Sequence, residues 1–401
     1  MERKSGGINV KLALIFMSLL PIYCQSAYLS WLQFEGFIRY TEYAIGIISF
    51  ILLIFLNKGI RFSEISIMMI AFYGYMMVLS IIKNADIITV TKQTVIITYT
   101  VVLFDLCRKE LDSLFAALQG LLGFLIFFNI ISMIVIPEGM SQIIAPEGVA
   151  IINFMGHDNS HILYLMPCFV VSEIKIISYR KKRQSTIVRG RILQGLVLIN
   201  ILMIQVGSTT VWILTLLFVY IILNFEVIKK AFSPIVFMMI PAVLNFSLVI
   251  MGTQINWIVY LAQVVLNKNA TFTGRIYAWR NALNVIRESI GFGHGFYGNE
   301  TMPKLIEYQQ AHNLLLQLLI IGGIVLAIYF VYIIYKIIKK AYVADNKLAL
   351  FSRAVLFSYL IFTLSESQLN YKMLILLPIL WHTLNNNRQA RELVGSNINR
   401  K

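Results

Sequence analysis

Two groups of residues in the second half of the chain carry side chains suited to polar chemistry. The first lies in Thr273 to Ser289, where Arg275, Arg280 and Arg287 accompany Ile276, Trp279, Leu283 and Ile286, the latter recurring at intervals of 3, 4 and 3 residues. That spacing predicts an amphipathic helix with one apolar stripe. Arg280 and Arg287 fall along one flank of the stripe and Arg275 on the opposite flank, near the helix start. A guanidinium stays charged at any working pH and binds phosphate oxygens in pairs, so the three suit a phosphorylated lipid headgroup. The plainer reading is that they solvate the outer face of a helix lying in the membrane interface, with Trp279 and Tyr277 at headgroup level. The second group is His312 and Asn313, at the head of an apolar run. A histidine where a polar loop enters a membrane can take a proton near neutral pH, or can simply be satisfied by water and headgroups.

Between the two groups stands Gly291-Phe292-Gly293-His294-Gly295-Phe296-Tyr297-Gly298. Four glycines so close together exclude a stable helix and predict a turn with close backbone approach. The turn follows no strand and opens no helix directly, so it is not read as a nucleotide-binding loop. Glu366 is placed at the outer end of a later apolar run. Arg39 and Glu42 lie near the outer end of an early one and are spaced to pair with each other. Ionisable groups in such places are costly, which makes them functional candidates. His157 and His161 are spaced to share a helix face, but no third ligand accompanies them and no metal site is read.

The elements that must position these groups follow from composition. Of 401 residues, 58% are hydrophobic and only 13% charged, with a mean hydropathy of +0.76. A soluble domain carries about 25% charged residues, so an ordinary globular enzyme is excluded. Apolar runs of roughly 17–25 residues, long enough to cross a bilayer as helices, begin near Leu12, Phe37, Ile65, Thr94, Leu114, Ile162, Ile192, Val211, Phe232, His312, Leu350 and Tyr371. The fourth is diluted by threonines. The apolar start of the chain is read as the first of these helices and not as a cleaved signal. Cys24, Cys107 and Cys168 suggest neither a disulfide framework nor a zinc site.

Charge orients the helices. The net charge of +15 is read as cytoplasmic-loop charge and not as a nucleic-acid footprint. Basic clusters at Arg180 to Arg191, Lys336 to Lys347 and Arg388 to Lys401 mark the inner side, as do the pairs Lys58/Arg61, Arg108/Lys109 and Lys229/Lys230. Pro137 to Asp158, without Lys or Arg, then falls outside. The fold class expected is therefore an all-α polytopic membrane protein of about 12 transmembrane helices, with both termini cytoplasmic. Residues 1–251 would hold helices 1–9, 252–311 an external loop with the interfacial helix, 312–385 helices 10–12, and 386–401 a basic cytoplasmic tail.

The order Thr273-Gly274-Arg275 with Trp279, then Ile290-Gly291-Phe292-Gly293-His294-Gly295, then Ala311-His312-Asn313 with Leu316 opening a span, resembles the O-antigen ligase and Wzy-type polymerase superfamily of bacteria. The resemblance implies glycosyl transfer at the outer face of the bacterial plasma membrane, from a glycan linked through pyrophosphate to undecaprenol. It maps the pyrophosphate clamp onto Arg275, supported by Arg280, and the general base or acceptor-positioning residue onto His312. Asn313, Glu366, Arg39 and Arg287 are supporting candidates. Two departures stand out: the Arg that relatives carry after the Ser opening the eighth span is absent from Gly207-Ser208-Thr209-Thr210, and Ser289-Ile290 stands where they have Pro before the glycine turn.

The function expected is polysaccharide polymerisation on lipid-linked repeat units, of capsule or O-antigen type, without a metal or other cofactor. A ligase of the same superfamily is the alternative, and a lipid-linked oligosaccharide flippase or other transporter a further one. The partners expected are undecaprenyl-pyrophosphate-linked oligosaccharide, membrane lipid, a chain-length regulator and a flippase, with no nucleic acid.

Overall fold

The computed structural model describes residues 10–23, 35–145, 148–179, 184–251, 275–367 and 369–386. Cys24, the basic cluster Arg180 to Arg183, residues 252–274 of the expected external loop, and Arg388, Arg391, Arg400 and Lys401 of the basic tail lie outside these.

The helices in chain order are α1 (Val10–Tyr23), α2 (Glu35–Leu56), α3 (Glu64–Ile82), α4 (Ile87–Leu106), α5 (Leu111–Val135), α6 (Ile162–Tyr179) and α7 (Gln184–Ile204). Then come α8 (Gly207–Ile222), α9 (Glu226–Ala231), α10 (Pro234–Met251), α11 (Arg275–Glu288), α12 (Pro303–Ile306), α13 (Leu314–Ala344), α14 (Lys347–Phe362) and α15 (Tyr371–Leu374). Seven of them, α2 to α7 and α13, are long and apolar enough to cross a membrane, and α1, α8 and α10 are shorter apolar helices. Large apolar side chains such as Phe55, Ile88, Leu202 and Phe218 stand exposed on them. A surface so rich in exposed apolar groups suits lipid and not water. The thread of threonines does not prevent α4 from forming. It starts earlier than the hydropathy predicts, because Asp86 Oδ1 accepts the Thr89 N–H (3.1 Å) and caps its first turn.

The chain divides into two compact units, Met1–Ser63 with Tyr99–Val206 and Glu64–Thr98 with Gly207–Lys401. In the first, α1 packs on α2 and α5, and α5, α6 and α7 pack on one another. Gly46 of α2 lies against the Pro21 ring, and a Cβ there would run into it. Two ion pairs lie within this apolar bundle: Lys175 Nζ lies 2.9 Å from Asp112 Oδ1, and Glu173 Oε2 accepts from Arg191 (3.0 Å) and also from Gln194 (2.8 Å).

The described residues are mostly helical, as expected of an all-α polytopic membrane protein, with one local addition in this unit. Between α5 and α6 the chain forms an antiparallel three-stranded sheet, β1 (Ser141–Ala145), β2 (Gly148–Asn153) and β3 (Gly156–His157), in that order. Ser141 pairs with Ile152, and Ile152 with His157. A segment too short and polar to span, but holding β-branched residues either side of Pro146-Glu147-Gly148, finds its backbone partners in a hairpin instead. Asn129 anchors the end of the sheet by accepting the Met155 N–H (2.8 Å). His161 Nε2 faces Gly156 O at 3.2 Å, and His157 Nδ1 accepts the Asn159 N–H.

In the second unit α13 packs on α3, α10, α11 and α14, and α8 lies along α14. The glycine-rich turn is built into this packing. α13 is broken by non-helical backbone at Gly322 (φ −131°) and Gly323 (φ 61°). A break inside a span exposes backbone groups that lipid cannot satisfy. The turn satisfies them: His294 and Gly295 donate to Ile320 O (2.8 Å) and Ile321 O (2.9 Å), and Ile324 donates to Ile290 O (2.8 Å). Approach this close needs glycine on both sides. A Cβ on Gly293 would lie 2.7 Å from the Gly322 and Gly323 nitrogens, and one on Gly323 would run into Gly291 O.

Gly323→Ala should therefore destabilise the protein by at least about 2 kcal/mol, since it adds a clash to an unfavourable left-handed backbone. Gly74→Ala, in a helix with nothing near the new methyl group, should be neutral or slightly stabilising. Thermal unfolding of the two variants in detergent checks the contrast.

Candidate functional site

α11 carries the predicted stripe, but protein covers it. Trp279, Ala282 and Ile286 are buried against Met302, Ile306, Ala311, Leu316 and Ile320, with Ile276 and Leu283 packed at the edge. The expectation that Trp279 sits at headgroup level is corrected: α12 and the start of α13 bring enough apolar surface to remove the indole from any interface. Tyr277 remains half exposed. Burying the stripe fixes the roll of α11, and the roll decides which arginine turns inward.

That arginine is Arg275. Its Nη2 donates to Glu366 Oε1 at 2.7 Å. The Glu366 side chain is only 2% exposed and that of Arg275 22%. Burial raises the Glu366 carboxyl above the usual carboxylate range, while the Arg275 charge pulls the other way. Glu366 Oε2 is buried and has no hydrogen-bond partner among the described residues. Ser208, where relatives have Arg next in the chain, is among the groups facing this carboxylate.

His312 adopts φ 48°, an uncommon backbone for a non-glycine residue. The local chain enforces it. Asn313, fully buried, is the N-cap of α13: its Oδ1 accepts the Leu316 N–H (3.1 Å) and its Nδ2 donates to Leu364 O (3.0 Å). Ala311 N–H donates to Gln317 Oε1 (3.0 Å), and Leu314 N–H to Thr363 O (3.0 Å). Held on both sides, His312 buries an Nδ1 with no hydrogen-bond partner among the described residues. Burial, with a smaller contribution from Arg275, pushes its pKa down to about 4. The imidazole is therefore neutral at physiological pH.

The structure thus brings Arg275, Glu366, His312 and Asn313 together. Arg280 and Arg287 stand on the exposed side of α11 and form no ion pair among the described residues. Arg39 belongs to α2, in the other unit. Gln310, Gln317, Ser367 and Asn245 were not singled out from sequence. Ser367 Oγ donates to Gln310 Oε1 at 2.8 Å, and Asn245 Nδ2 to Asn313 Oδ1 at 3.4 Å. Gln317 and Asn245 did leave a signal, as isolated amides within apolar runs.

Among the described residues no group of three or more His, Cys, Asp and Glu side chains is arranged to hold a metal ion. The site offers instead a guanidinium for an anion, a neutral imidazole for a proton, and a buried carboxylate that orients the guanidinium.

The family model of the O-antigen ligases matches residues 168–331. The match runs from Cys168 in α6 to Val331 in α13, and takes in Arg275, Arg280, Arg287, His312 and Asn313. The superfamily resemblance read from the sequence is borne out over that stretch. No curated protein matches the chain.

Asn313→Ala should cost about 1–3 kcal/mol, from the lost cap and the orphaned Leu364 carbonyl. Arg280→Ala and Arg287→Ala, on the exposed side, should change stability by no more than about 0.5 kcal/mol. Thermal unfolding of the three variants in detergent measures the difference.

Proposed function

We propose that the chain is a polysaccharide polymerase of the bacterial plasma membrane, transferring a growing glycan from undecaprenyl pyrophosphate to another lipid-linked repeat unit at the outer face. Superfamily members are membrane ligases and polymerases, and the observation that carries the reading here is the Arg275–Glu366 pair beside His312, whose buried Nδ1 has no hydrogen-bond partner among the described residues. The proposal takes about twelve spans with both termini inside, from run length and loop charge. A flippase supplying substrate and a chain-length regulator are the partners it implies.

In this scheme Glu366 holds one face of the Arg275 fork and the remaining N–H groups bind the donor pyrophosphate. The acceptor hydroxyl attacks the anomeric carbon, the bond to the pyrophosphate oxygen breaks, and the charge left on lipid pyrophosphate is stabilised by a guanidinium already in place. The hydroxyl proton passes to His312 Nδ1. Before donor binds, the imidazole is a weak base. A bound pyrophosphate offsets the Arg275 charge and adds negative charge nearby, so donor binding strengthens the base when it is needed.

A ligase passing finished glycan to a different acceptor is the second reading, and the description of the matching family favours it. Purified protein given a defined lipid-linked repeat unit separates the two by product length.

Arg275→Ala and His312→Ala should each lower transfer by at least about a hundredfold and leave single repeat units on the carrier at the outer face. Full-length polymer from either variant would remove the assignment, and single units confined to the inner face would point to a flippase. The acid limb of kcat/KM should lie near the free-site value of about 4, and that of kcat should lie higher, because the donor raises the imidazole pKa. Both limbs near the ordinary histidine value of about 6.5 would rule out a buried base.

A further inference from the structure

Next to the Arg275–Glu366–His312 group is a half-open cleft of about 470 Å³ whose walls are polar. Its lining includes Gln310 and Gln317, two and five positions from His312 in the chain, and Ser367, next to Glu366. It is lined as well by Thr89, Lys92 and Gln93 of the first turns of α4, and by Tyr297, Asn299 and Glu300 after the glycine turn. The volume is that of a small-molecule site, and the chemistry of the walls narrows what it can take.

Phosphate is disfavoured. Asp86, which also lines the cleft, is held ionised against its burial by hydrogen bonds from Thr89, Thr301 and Gly298. With Glu300 it outnumbers Lys92, so the local field repels an anion. Asp86 also serves as cap and loop anchor, accepting from Thr89 N–H (3.1 Å) and Thr301 Oγ1 (3.2 Å). Gln93 has an unmet need. Its Oε1 is buried with no hydrogen-bond partner among the described residues, and a buried acceptor in that state calls for a hydroxyl or amide donor. Asn299 and Glu300 present exposed amide and carboxylate groups, and Tyr297 adds an aromatic surface. An uncharged ligand rich in hydroxyl groups fits this set, and an apolar or phosphorylated one does not.

We propose that this cleft is a carbohydrate subsite, which holds the sugar of the acceptor and delivers its hydroxyl to His312. The inference rests on reading the neighbouring group as a glycosyl-transfer site, and assigns opposite sides of that site to opposite chemistries: Arg275 to pyrophosphate, the Gln93 cleft to neutral sugar.

The test uses full-length protein in lipid nanodiscs with two probes: inorganic pyrophosphate, its binding read by phosphorus NMR line broadening, and the repeat-unit oligosaccharide freed from its lipid carrier by mild acid, its binding read by saturation-transfer proton NMR. Gln93→Ala combined with Glu300→Ala should weaken oligosaccharide binding by about tenfold, the scale of one or two lost hydrogen bonds, and leave pyrophosphate binding unchanged. If the double variant loses both probes, Gln93→Ala alone carries the comparison. Unchanged oligosaccharide binding in the variant, or none in the unsubstituted protein, would overturn the subsite. Arg275→Ala should do the reverse and abolish pyrophosphate binding alone. Pyrophosphate binding that survives Arg275→Ala would remove the proposed donor site without touching the result for the cleft.

Discussion

Placing a carboxylate inside an apolar helical unit costs several kcal/mol unless an opposite charge meets it with good geometry. Glu366 is in that position, and Arg275 is the charge that meets it, 2.7 Å away. The pair ties the start of α11 to the segment after α14. It holds the guanidinium in one orientation before any ligand arrives, and it puts a positive charge close enough to His312 to favour the neutral imidazole. Orientation of the anion-binding group and charge state of the base thus follow from one contact. Glu366 cannot be exchanged for an apolar residue without leaving Arg275 both uncompensated and unaimed.

Backbone hydrogen bonding imposes the second constraint. A span can break only where another part of the protein takes up its freed N–H and C=O groups. In α13 the break at Gly322-Gly323 is filled by the turn from Gly291 to Gly295, and each glycine set makes room for the other. The docked turn is tied to the end of α3 and the start of α4: Phe296 N–H donates to Ser80 Oγ, and Asp86 N–H donates to Phe296 O. The glycine cluster therefore acts as a joint that places α11, the cleft rim and the head of α13 within one frame.

Much of the site was legible in the sequence because its signals are local. The 3-4-3 spacing on α11, four glycines in eight residues, and an Ala-His-Asn triplet heading an apolar run each identify an element from its own residues. Those elements offered Arg275 and His312 among other candidates, the family resemblance assigned them to the site, and the two prove to be neighbours. Trp279 was misjudged. An amphipathic stripe looks the same whether lipid or protein covers it, and only the packing of Met302, Ile306 and Leu316 distinguishes the two. Arg275 and Arg280 were both assigned to the phosphate site from the resemblance, and the roll of the helix turns only Arg275 inward. The hairpin between α5 and α6 escaped the all-α reading because its strands are short and lie next to far stronger helical signals.

The sequence by itself determined a chain of apolar helices, the polar residues able to do chemistry, and the family pattern that relates them. These depend on composition and on spacing within single elements, where hydrophobic period and glycine content act directly. The tertiary structure decided which of those residues form a site. Glu366 lies 91 positions from Arg275, and Gln93 more than 200 positions from Gln310 and Gln317 across their common cleft. Contacts at such separations come from how helices pack and where a span is broken, and no local period records them.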